Sequence, residues 1–440
     1  MTLPAVHQLK KPFACLIVLT FCVQVAAGSR STSDTMVSTL HTTARNPATS
    51  TKISAILSLI NESILRDYLT TLVNCAPRTD GTYGCDLAAH YIHTQFQEEG
   101  LRTRYQNWTA RGNRYHPYLY HCANIEGTIP GIDHTDDSII VFNAHYDGVK
   151  YGPGANDDGS GTAAVLAAAY ALSHFQFNRT LKFVTFSGEE IGLIGSQAYA
   201  KEAYQQNDNI MLEINADMIG HDNGSRTMRV ISTEDASWVH DVFQSMVSNY
   251  SIGLSIQPGS TNRVGHKMTG SDFAPFLEYG WESVSCWETA GDPYMHTAQD
   301  NLSNIDFSYL VNTTKAIAAA LAYLADLPET PPQVRITSPR VGSLYFREMQ
   351  RRDLKDFKTV VFDDIWIWAE VYDGTTPVVK AEFYDNEKLV STVTQVPFKW
   401  HLNKRSLGKH EIMVKVYDEL GRTSTDWREL RLINLFLNNR

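Results

Sequence analysis

Apolar residues repeat with two different periods along the chain, and the change of period divides it into two predicted domains. Between residues 53 and 72 they recur at the spacing of one helix face, and another helix is predicted over about residues 86–99. From there to about residue 326, short, continuously apolar runs alternate with helical segments rich in Ala and Leu. Strands that are apolar on both sides are typical of a sheet covered by helices on both faces. Residues 53–327 are therefore expected to form an α/β domain, a three-layer αβα sandwich with a mostly parallel or mixed central sheet.

The C-terminal part of the chain has the period of β-strands. After a proline-rich break at residues 328–332, apolar and polar residues alternate, as in residues 366–372 and 412–417. Turn-forming pairs of Asp, Asn and Gly separate these runs. Because short strands with regular turns are typical of a β-sandwich, residues 331–440 are predicted to form an all-β, immunoglobulin-like sandwich.

The first 28 residues have the pattern of a secretory signal peptide. Two lysines precede an apolar run at residues 13–23, and small residues follow it. The run is shorter than the roughly 20 residues that a membrane-spanning helix needs, which favours a cleaved signal over the alternative, a signal anchor. Residues 29–52 are rich in Ser and Thr without apolar periodicity, so we expect a flexible segment or a pro-segment there. The rest of the chain is expected to be secreted, without a transmembrane segment.

Composition and charge exclude two broad classes of protein. The 440 residues are 43% hydrophobic and 20% charged, which excludes a chain that is disordered throughout. Lys and Arg number 38 against 48 Asp and Glu, for a formal net charge of −10. With this acidic balance and no strong basic stripe, we expect no nucleic-acid partner.

Sequons and cysteines agree with export. Some of the seven Asn-x-Ser/Thr sequons are expected to carry glycans. Cys75 and Cys85 flank a turn-rich loop, and its short closure favours a disulfide between them in an oxidising compartment. Cys122 and Cys286 lie in apolar runs, where a disulfide and buried thiols are both open. The sequons are Asn61, Asn107, Asn178, Asn223, Asn249, Asn301 and Asn312.

A set of ionisable side chains follows the predicted strands of the α/β domain. Because the strand-end loops of such a sheet lie along one rim, we expect these side chains to meet there. Histidines and carboxylates without thiolates suit zinc better than calcium, and two histidines with three carboxylates match two ions that share one carboxylate. Taken singly, an Asp could instead cap a helix, and a Glu could be favoured by a helix dipole. The set is His145, Asp147, Asp157, Asp158, Glu189, Glu190, Asp217 and His296.

In their order along the chain, these motifs resemble those of the secreted dizinc aminopeptidases of metallopeptidase family 28. The resemblance covers about residues 53–327, and it implies a cis peptide after Asp157. One departure is Phe273, which stands where the family segment usually has His after Ser-Asp. The resemblance implies that His145 and Asp217 hold one zinc ion, that Asp157 bridges to a second zinc ion held by Glu190 and His296, that Glu189 is the general base, and that Asp147 orients His145.

The expected reaction is hydrolysis of the N-terminal residue of a peptide. Two zinc ions lower the pKa of a shared water toward about 7, and Glu189 passes its proton to the leaving amine. The alternatives are a carboxypeptidase or a glutaminyl cyclase of the same family, or a receptor or adhesion protein that keeps the fold without activity. The C-terminal domain could contact a glycan or a surface through Trp366, Trp368 and Trp400, although core packing is the default for such residues.

Overall fold

The structure is a computed structural model that describes most of the chain beyond residue 46. The predicted signal peptide and residues 29–46 of the predicted flexible segment lie outside the described residues. Among the helices that the structure does describe, none is long and apolar enough to cross a membrane. The described residues are 47–112, 115, 117–233, 236–261, 270–327, 332–354, 358–372, 376–419 and 421–435.

The N-terminal domain alternates strands with helices, as the hydrophobic pattern predicts. Within the described residues its α-helices are α1 (Pro47–Leu59), α2 (Glu62–Asn74), α3 (Tyr83–Glu98), α4 (Gly159–Ser173), α5 (Ile194–Gln206), α6 (Trp238–Asn249), α7 (Ala274–Glu278) and α8 (Phe307–Ala325), with a short 3₁₀ helix at Leu302–Asn304. Its strands are β1 (Arg102–Arg111), β2 (Leu119–Ile129), β3 (Ile139–His145), β4 (Thr180–Phe186), β5 (Ile210–Ala216), β6 (Thr227–Ser232), β7 (Ser255–Ser260) and β8 (Ser283–Glu288).

These eight strands form one mixed sheet in the order β1-β2-β4-β3-β5-β8-β6-β7. The central strands β4, β3, β5 and β8 are parallel, whereas β1, β2 and β6 join antiparallel neighbours. The predicted mixed central sheet is therefore confirmed. Because the central strands run in one direction, their carboxyl ends open onto a single rim.

Helices cover both faces of the sheet. On one face α1, α2, α3, α4, α6 and α8 enclose the large core, and on the other α5 and α7 pack against Val141, Val184 and Phe186. Helix α4 is rich in Ala because nearly all of its residues are buried, and small side chains let its neighbours approach closely. The three-layer arrangement leaves the rim at the strand ends accessible.

Helix α1 corrects one expectation about the N-terminal segment. Residues 47–52 were expected to be flexible, but they are the first half of a helix that continues to Leu59. Tertiary contacts explain the difference, since Lys52 Nζ lies 2.6 Å from Asp326 Oδ2 and 3.8 Å from the centre of the Phe177 ring. The local sequence carries no apolar period because the anchoring contacts are polar and distant in the chain.

The cysteines correct a second expectation. Cys75, Cys85, Cys122 and Cys286 are all unpaired thiols in the structure, so the favoured Cys75–Cys85 disulfide is not present. Cys85 lies on the inner face of α3 and is 2% exposed, whereas Cys75 follows the end of α2 and is only partly buried. Sequence proximity across the loop therefore does not bring the two thiols into one environment.

The C-terminal domain is all β within the described residues, as its alternating pattern predicts. A seven-stranded sheet has the order β11-β10-β12-β18-β17-β14-β15, and a three-stranded sheet has the order β16-β13-β9. The strands are β9 (Gln333–Ser338), β10 (Ser343–Phe346), β11 (Met349–Asp353), β12 (Thr359–Phe362), β13 (Ile365–Tyr372), β14 (Val378–Asp385), β15 (Lys388–Val393), β16 (Phe398–Leu402), β17 (Ser406–Asp418) and β18 (Thr423–Asn434).

The two sheets share one hydrophobic core. Ile336 and Ile367 of the smaller sheet belong to the same buried cluster as Phe383 and Val414 of the larger one. Alternate residues of each strand supply this core, which is the physical origin of the period of two. That the domain has an immunoglobulin-like topology stays a prediction.

Candidate metal centre

Two buried side chains stand at neighbouring strand ends in the centre of the rim. His145 is the last residue of β3, and Asp217 directly follows β5, which pairs with β3 in parallel. His145 is 1% exposed and Asp217 is 4% exposed, and His145 Nε2 lies 3.8 Å from Asp217 Oδ1. We call this pair the inner pole of the centre.

A second pair stands closer to solvent. Glu190 follows β4, and His296 lies in the loop after β8 with a left-handed backbone (φ +60°). The distance from His296 Nε2 to Glu190 Oε2 is 3.2 Å, and the His296 side chain is 48% exposed. We call this pair the outer pole.

Asp157 stands between the two poles. Its Oδ1 lies 3.3 Å from His145 Nε2, and its Oδ2 lies 3.0 Å from His296 Nε2. Asp300 fixes the backbone here, since its Oδ2 accepts a hydrogen bond of 3.1 Å from the Asp157 N–H. One carboxylate thus presents one oxygen to each pole, which is the arrangement that a bridging ligand requires.

Asp147 connects the inner pole to the glutamate loop. Its Oδ1 lies 3.5 Å from His145 Nδ1, and its two oxygens accept hydrogen bonds from the N–H groups of Glu189 (3.3 Å) and Glu190 (3.2 Å). The Asp147 side chain is completely buried. A single carboxylate therefore orients the His145 ring and positions the two adjacent glutamates.

Glu189 belongs to neither pole. It follows Gly188, whose left-handed backbone (φ +81°) carries the chain past the Trp108 ring. A Cβ at Gly188 would lie 2.8 Å from Trp108 Cζ2, so only glycine fits this turn. Burial raises the pKa of Glu189 well above its usual value, which is the direction a general base at neutral pH needs.

Asp158 has a different task from its neighbour. Its side chain caps α4 by accepting from the Gly161 N–H (2.9 Å), and it also accepts from the N–H groups of His145 (3.2 Å) and Met218 (3.2 Å). Although it lies near His145 and Asp217, these backbone donors occupy its oxygens. The Asp157–Asp158 peptide is cis, as the resemblance implies.

The carboxylates of the centre favour the binding of cations. Burial lowers the pKa of His145, but hydrogen bonds to Asp147, Asp157 and Asp217 outweigh it and raise that pKa well above the usual value. Bonds to Asp157 and Glu190 raise the pKa of His296 to about 10. Three carboxylates with two neutral imidazoles carry a charge of −3, which two divalent ions would more than offset. The donor set of nitrogen and oxygen atoms fits zinc.

A comparison with known protein families identifies the domain that holds this centre. Residues 124–321 match the family model described as peptidase family M28. The domain that holds the centre is therefore similar to this family, over less than half of the chain. Both poles, Asp157 and the two residues Asp147 and Glu189 all lie inside the matched segment.

Relatives of this chain include a protein named as an aminopeptidase. Aminopeptidase YwaD of Bacillus subtilis (strain 168) is 30% identical over 224 residues, which cover 50% of this chain and 48% of that protein. Leupeptin-inactivating enzyme 1 of Streptomyces exfoliatus is 26% identical over 274 residues, which cover 59% of this chain and 60% of that protein. The chain therefore spans about half the length of the curated relatives it matches.

Solved structures share the fold. An aminopeptidase from Aneurinibacillus sp. strain AM-1 superposes with a TM-score of 0.54 at 17% identity, covering 62% of this chain and 96% of that one. At this low identity the likeness shows the fold alone.

The sequence analysis missed two ionisable residues beside the candidate metal centre. Arg78 is almost completely buried, and its guanidinium donates to the carbonyl oxygens of Tyr146 (2.7 Å), Pro153 (2.8 Å) and Gly154 (2.8 Å). These carbonyls belong to the segment that joins His145 to Asp157. Asp80 is also buried, and burial together with the neighbouring Asp147 raises the pKa of Asp80 to about 9.

Neither residue follows a strand, so the strand-end argument does not find them. Both lie in the loop between α2 and α3, before the segment that the family model matches. The available signal is weak: two opposite charges within a loop otherwise made of turn-forming residues.

Proposed function

We propose that this chain is a secreted zinc aminopeptidase that removes N-terminal residues from peptides with two co-catalytic zinc ions. The observation that carries the proposal is the position of Asp157, whose two oxygens face His145 and His296 at 3.3 Å and 3.0 Å. A carboxylate in this position can hold two ions at the separation of about 3.5–4 Å that two-metal hydrolases use.

The poles divide the binding of the two ions. His145 and Asp217 hold one ion, Glu190 and His296 hold the other, and Asp157 is shared. Asp147 keeps the proton of the His145 ring on Nδ1, so that the Nε2 lone pair faces the ion. Two zinc ions held by these residues would supply an acidified water and polarise the carbonyl of the scissile bond.

Glu189 carries the proton in this proposal. Its backbone N–H donates to Asp147, which positions the residue beside the centre, and its carboxylate is not needed to hold either ion. It accepts the proton of the attacking water and returns it to the nitrogen of the leaving amine. Adjacent glutamates therefore divide two duties, proton transfer by Glu189 and metal binding by Glu190.

The choice of aminopeptidase over the other reactions of this fold rests on the relatives. Aminopeptidase YwaD of Bacillus subtilis (strain 168) carries that activity in its name. A glutaminyl cyclase from Porphyromonas gingivalis has the same fold with a TM-score of 0.52 at 16% identity, so cyclisation is the second candidate. The signal-like pattern of residues 1–28 supports secretion, and the sequons support glycosylation.

The first test compares one unblocked peptide with its N-acetylated twin. The full chain is expressed with its N-terminal segment, recovered from the culture medium, loaded with zinc and followed by mass spectrometry beside Glu189→Gln. We expect stepwise loss from the free N-terminus only, and a rate about 10²–10⁴-fold lower for Glu189→Gln with its zinc retained. Trimming of both peptides from the C-terminus would replace this proposal with a carboxypeptidase.

Other outcomes of the same assay also decide. Conversion of an N-terminal glutamine to pyroglutamate without cleavage would favour the cyclase. A chain that binds no zinc and cleaves neither peptide would contradict the enzyme proposal altogether. Retention of the protein inside the producing cells would contradict secretion.

We also propose that the C-terminal domain contacts a glycan or a surface through Trp366 and Trp368. Trp368 is 37% exposed, and Lys399 Nζ lies 4.7 Å and 4.5 Å from the centres of the two rings. Trp400 packs against the core of the domain, so it is not available for this contact. Binding of the full chain to a glycan array should weaken in Trp368→Ala; unchanged binding would contradict the proposal.

A further inference from the structure

A second cluster of metal-ligating side chains lies in the C-terminal domain. Glu348 is in the turn between β10 and β11, Asp364 directly precedes β13, and His401 is on β16. One ligand atom of each lies within 4.8 Å of the corresponding atoms of the other two. None of the three belongs to the N-terminal domain or to the metal centre described above.

The sheet register places the first two ligands beside each other. Trp366 on β13 is paired with His401 on β16, so Asp364 stands two residues before the partner of His401. Asp364 is 8% exposed, and its Oδ2 lies 2.9 Å from His401 Nε2. The Trp366 ring stacks on the His401 ring at 4.6 Å and 12°, and this contact holds the imidazole plane.

A tight hairpin turn places the third ligand. Arg347 and Glu348 link the paired residues Phe346 and Met349, and both have left-handed backbones (φ +50° and +64°). Such turns normally use Asn or Gly at these positions. Here two residues with long charged side chains occupy them, and the turn directs Glu348 to the Asp364–His401 pair.

Among the described residues, two cations close to this cluster in the chain or the sheet have other partners. Arg347 Nε pairs with Asp363 Oδ2 at 3.2 Å, and Lys399 Nζ lies over the rings of Trp366 and Trp368. With a neutral imidazole, Glu348 and Asp364 together carry a charge of −2. One divalent ion would neutralise it.

We propose that Glu348, Asp364 and His401 form a third metal site, separate from the dizinc centre, that binds one divalent transition-metal ion. An imidazole nitrogen with two carboxylate oxygens is a donor set for zinc and its neighbours rather than for calcium, which takes oxygen ligands only. Three protein ligands leave further coordination positions to water. The exposure of Glu348 gives the ion a path from solvent.

A bound ion would join the two sheets of the C-terminal domain. Glu348 belongs to a hairpin of the seven-stranded sheet, whereas His401 lies on β16 of the three-stranded sheet and Asp364 directly precedes β13 of that sheet. Because the unfolded chain does not hold these residues together, the ion binds the folded domain and stabilises it. The site therefore has a structural role that does not depend on peptide hydrolysis.

The test counts zinc ions. The full chain is equilibrated with zinc over a range of buffered free concentrations, and bound zinc per chain is measured by mass spectrometry of the metal. We expect wild type to reach about three ions, and Glu348→Gln and His401→Gln to stop at about two. Peptide cleavage should be unchanged in both variants, because neither residue touches the dizinc centre.

The chain offers a matched control for the turn. Asn386 and Glu387 form the equivalent turn between β14 and β15 with the same left-handed angles (φ +50° and +64°), yet Glu387 is not part of the cluster. Glu387→Gln should therefore keep the third ion. Zinc should also raise the melting temperature of wild type and Glu387→Gln by more than that of Glu348→Gln.

Two results would overturn the proposal. One is a wild-type chain that saturates with the same number of ions as Glu348→Gln. The other is a third ion that persists in His401→Gln. Because the readout is the difference between wild type and variant, it stays informative even if the chain cleaves no peptide, and loss of the two dizinc ions would instead concern the proposed function.

Discussion

The two poles of the candidate metal centre offer similar ligands in very different surroundings. The inner pole, His145 and Asp217, stands on adjacent parallel strands and is almost completely buried. The outer pole, Glu190 and His296, stands on loops, and half of the His296 side chain is exposed. The inner pole lies in the core of the domain, whereas the outer pole lies nearer to its surface.

The difference in burial indicates which half of the centre contributes to the stability of the fold. Removing the partner of a buried carboxylate leaves that carboxylate unpaired at a high cost, whereas the His296 ring of the outer pole is already half solvated. We therefore expect inner-pole substitutions to affect folding and metal binding together, and outer-pole substitutions to affect metal binding alone.

The largest expected effect separates His145→Ala from His296→Ala. His145→Ala should lose both zinc ions and about 3–5 kcal/mol of unfolding free energy, because it leaves buried carboxylates without a partner. His296→Ala should lose one ion and less unfolding free energy than His145→Ala, because the His296 ring is half exposed. Bound zinc per chain and urea unfolding measure both quantities. Equal losses in the two variants would show that the poles are not different in kind.

The next effect concerns the segment that carries the inner pole. In Arg78→Met the carbonyls of Tyr146, Pro153 and Gly154 lose their buried donor, and each such loss costs about 1–3 kcal/mol. We expect a destabilised chain with weaker zinc binding, measured by urea unfolding and by competition with a chelator. Arg229→Met is the control, since Arg229 is exposed and should change stability by less than about 0.5 kcal/mol. Similar unfolding of the two variants would argue against a positioning role for Arg78.

The smallest effect is a pH dependence near Asp147. The pKa of Asp80 is about 9 in the folded chain against an ordinary value of 3.8, because burial and Asp147 disfavour its charged form. The folded state thus retains a proton that the unfolded state releases. The stabilising contribution of Asp80 is complete below pH 3.8 and is lost as the pH rises through about 9.

Asp80→Asn, which is neutral at every pH, removes this loss. We expect it to be more stable than wild type by about 1–3 kcal/mol at pH 9, with the difference shrinking toward pH 4. Chemical unfolding at several pH values measures the effect, and Asp86→Asn on the exposed side of α3 is the control. A variant less stable than wild type at pH 9 would mean that Asp80 is charged and paired in the folded chain.

Much of the fold and the centre could be predicted from the sequence because the relevant signals are local. Each predicted site residue ends a strand, follows one or lies in a loop at the same rim, and the ends of parallel strands meet whatever their separation in the chain. The predicted periods of the two domains likewise reflect burial on one or both faces of regular elements. These expectations needed no knowledge of distant contacts.

The corrections concern features that distant contacts decide. Lys52 of α1 pairs with Asp326, and Arg78 donates to the carbonyl oxygen of Tyr146, which lies 68 residues further along the chain. The Cys75–Cys85 disulfide was expected from loop length alone, but the direction of each thiol depends on what packs against its helix. No period or motif encodes these relations.

The two periods of burial and the order of the ionisable residues at the strand ends follow from the sequence alone. Tertiary packing alone places Asp157 between both poles, buries one pole more than the other, and brings Glu348 close to His401. A local pattern arises from the regular backbone geometry of a single helix or strand, so it is visible in the sequence of that element alone. Distances between elements depend on how all of them pack at once.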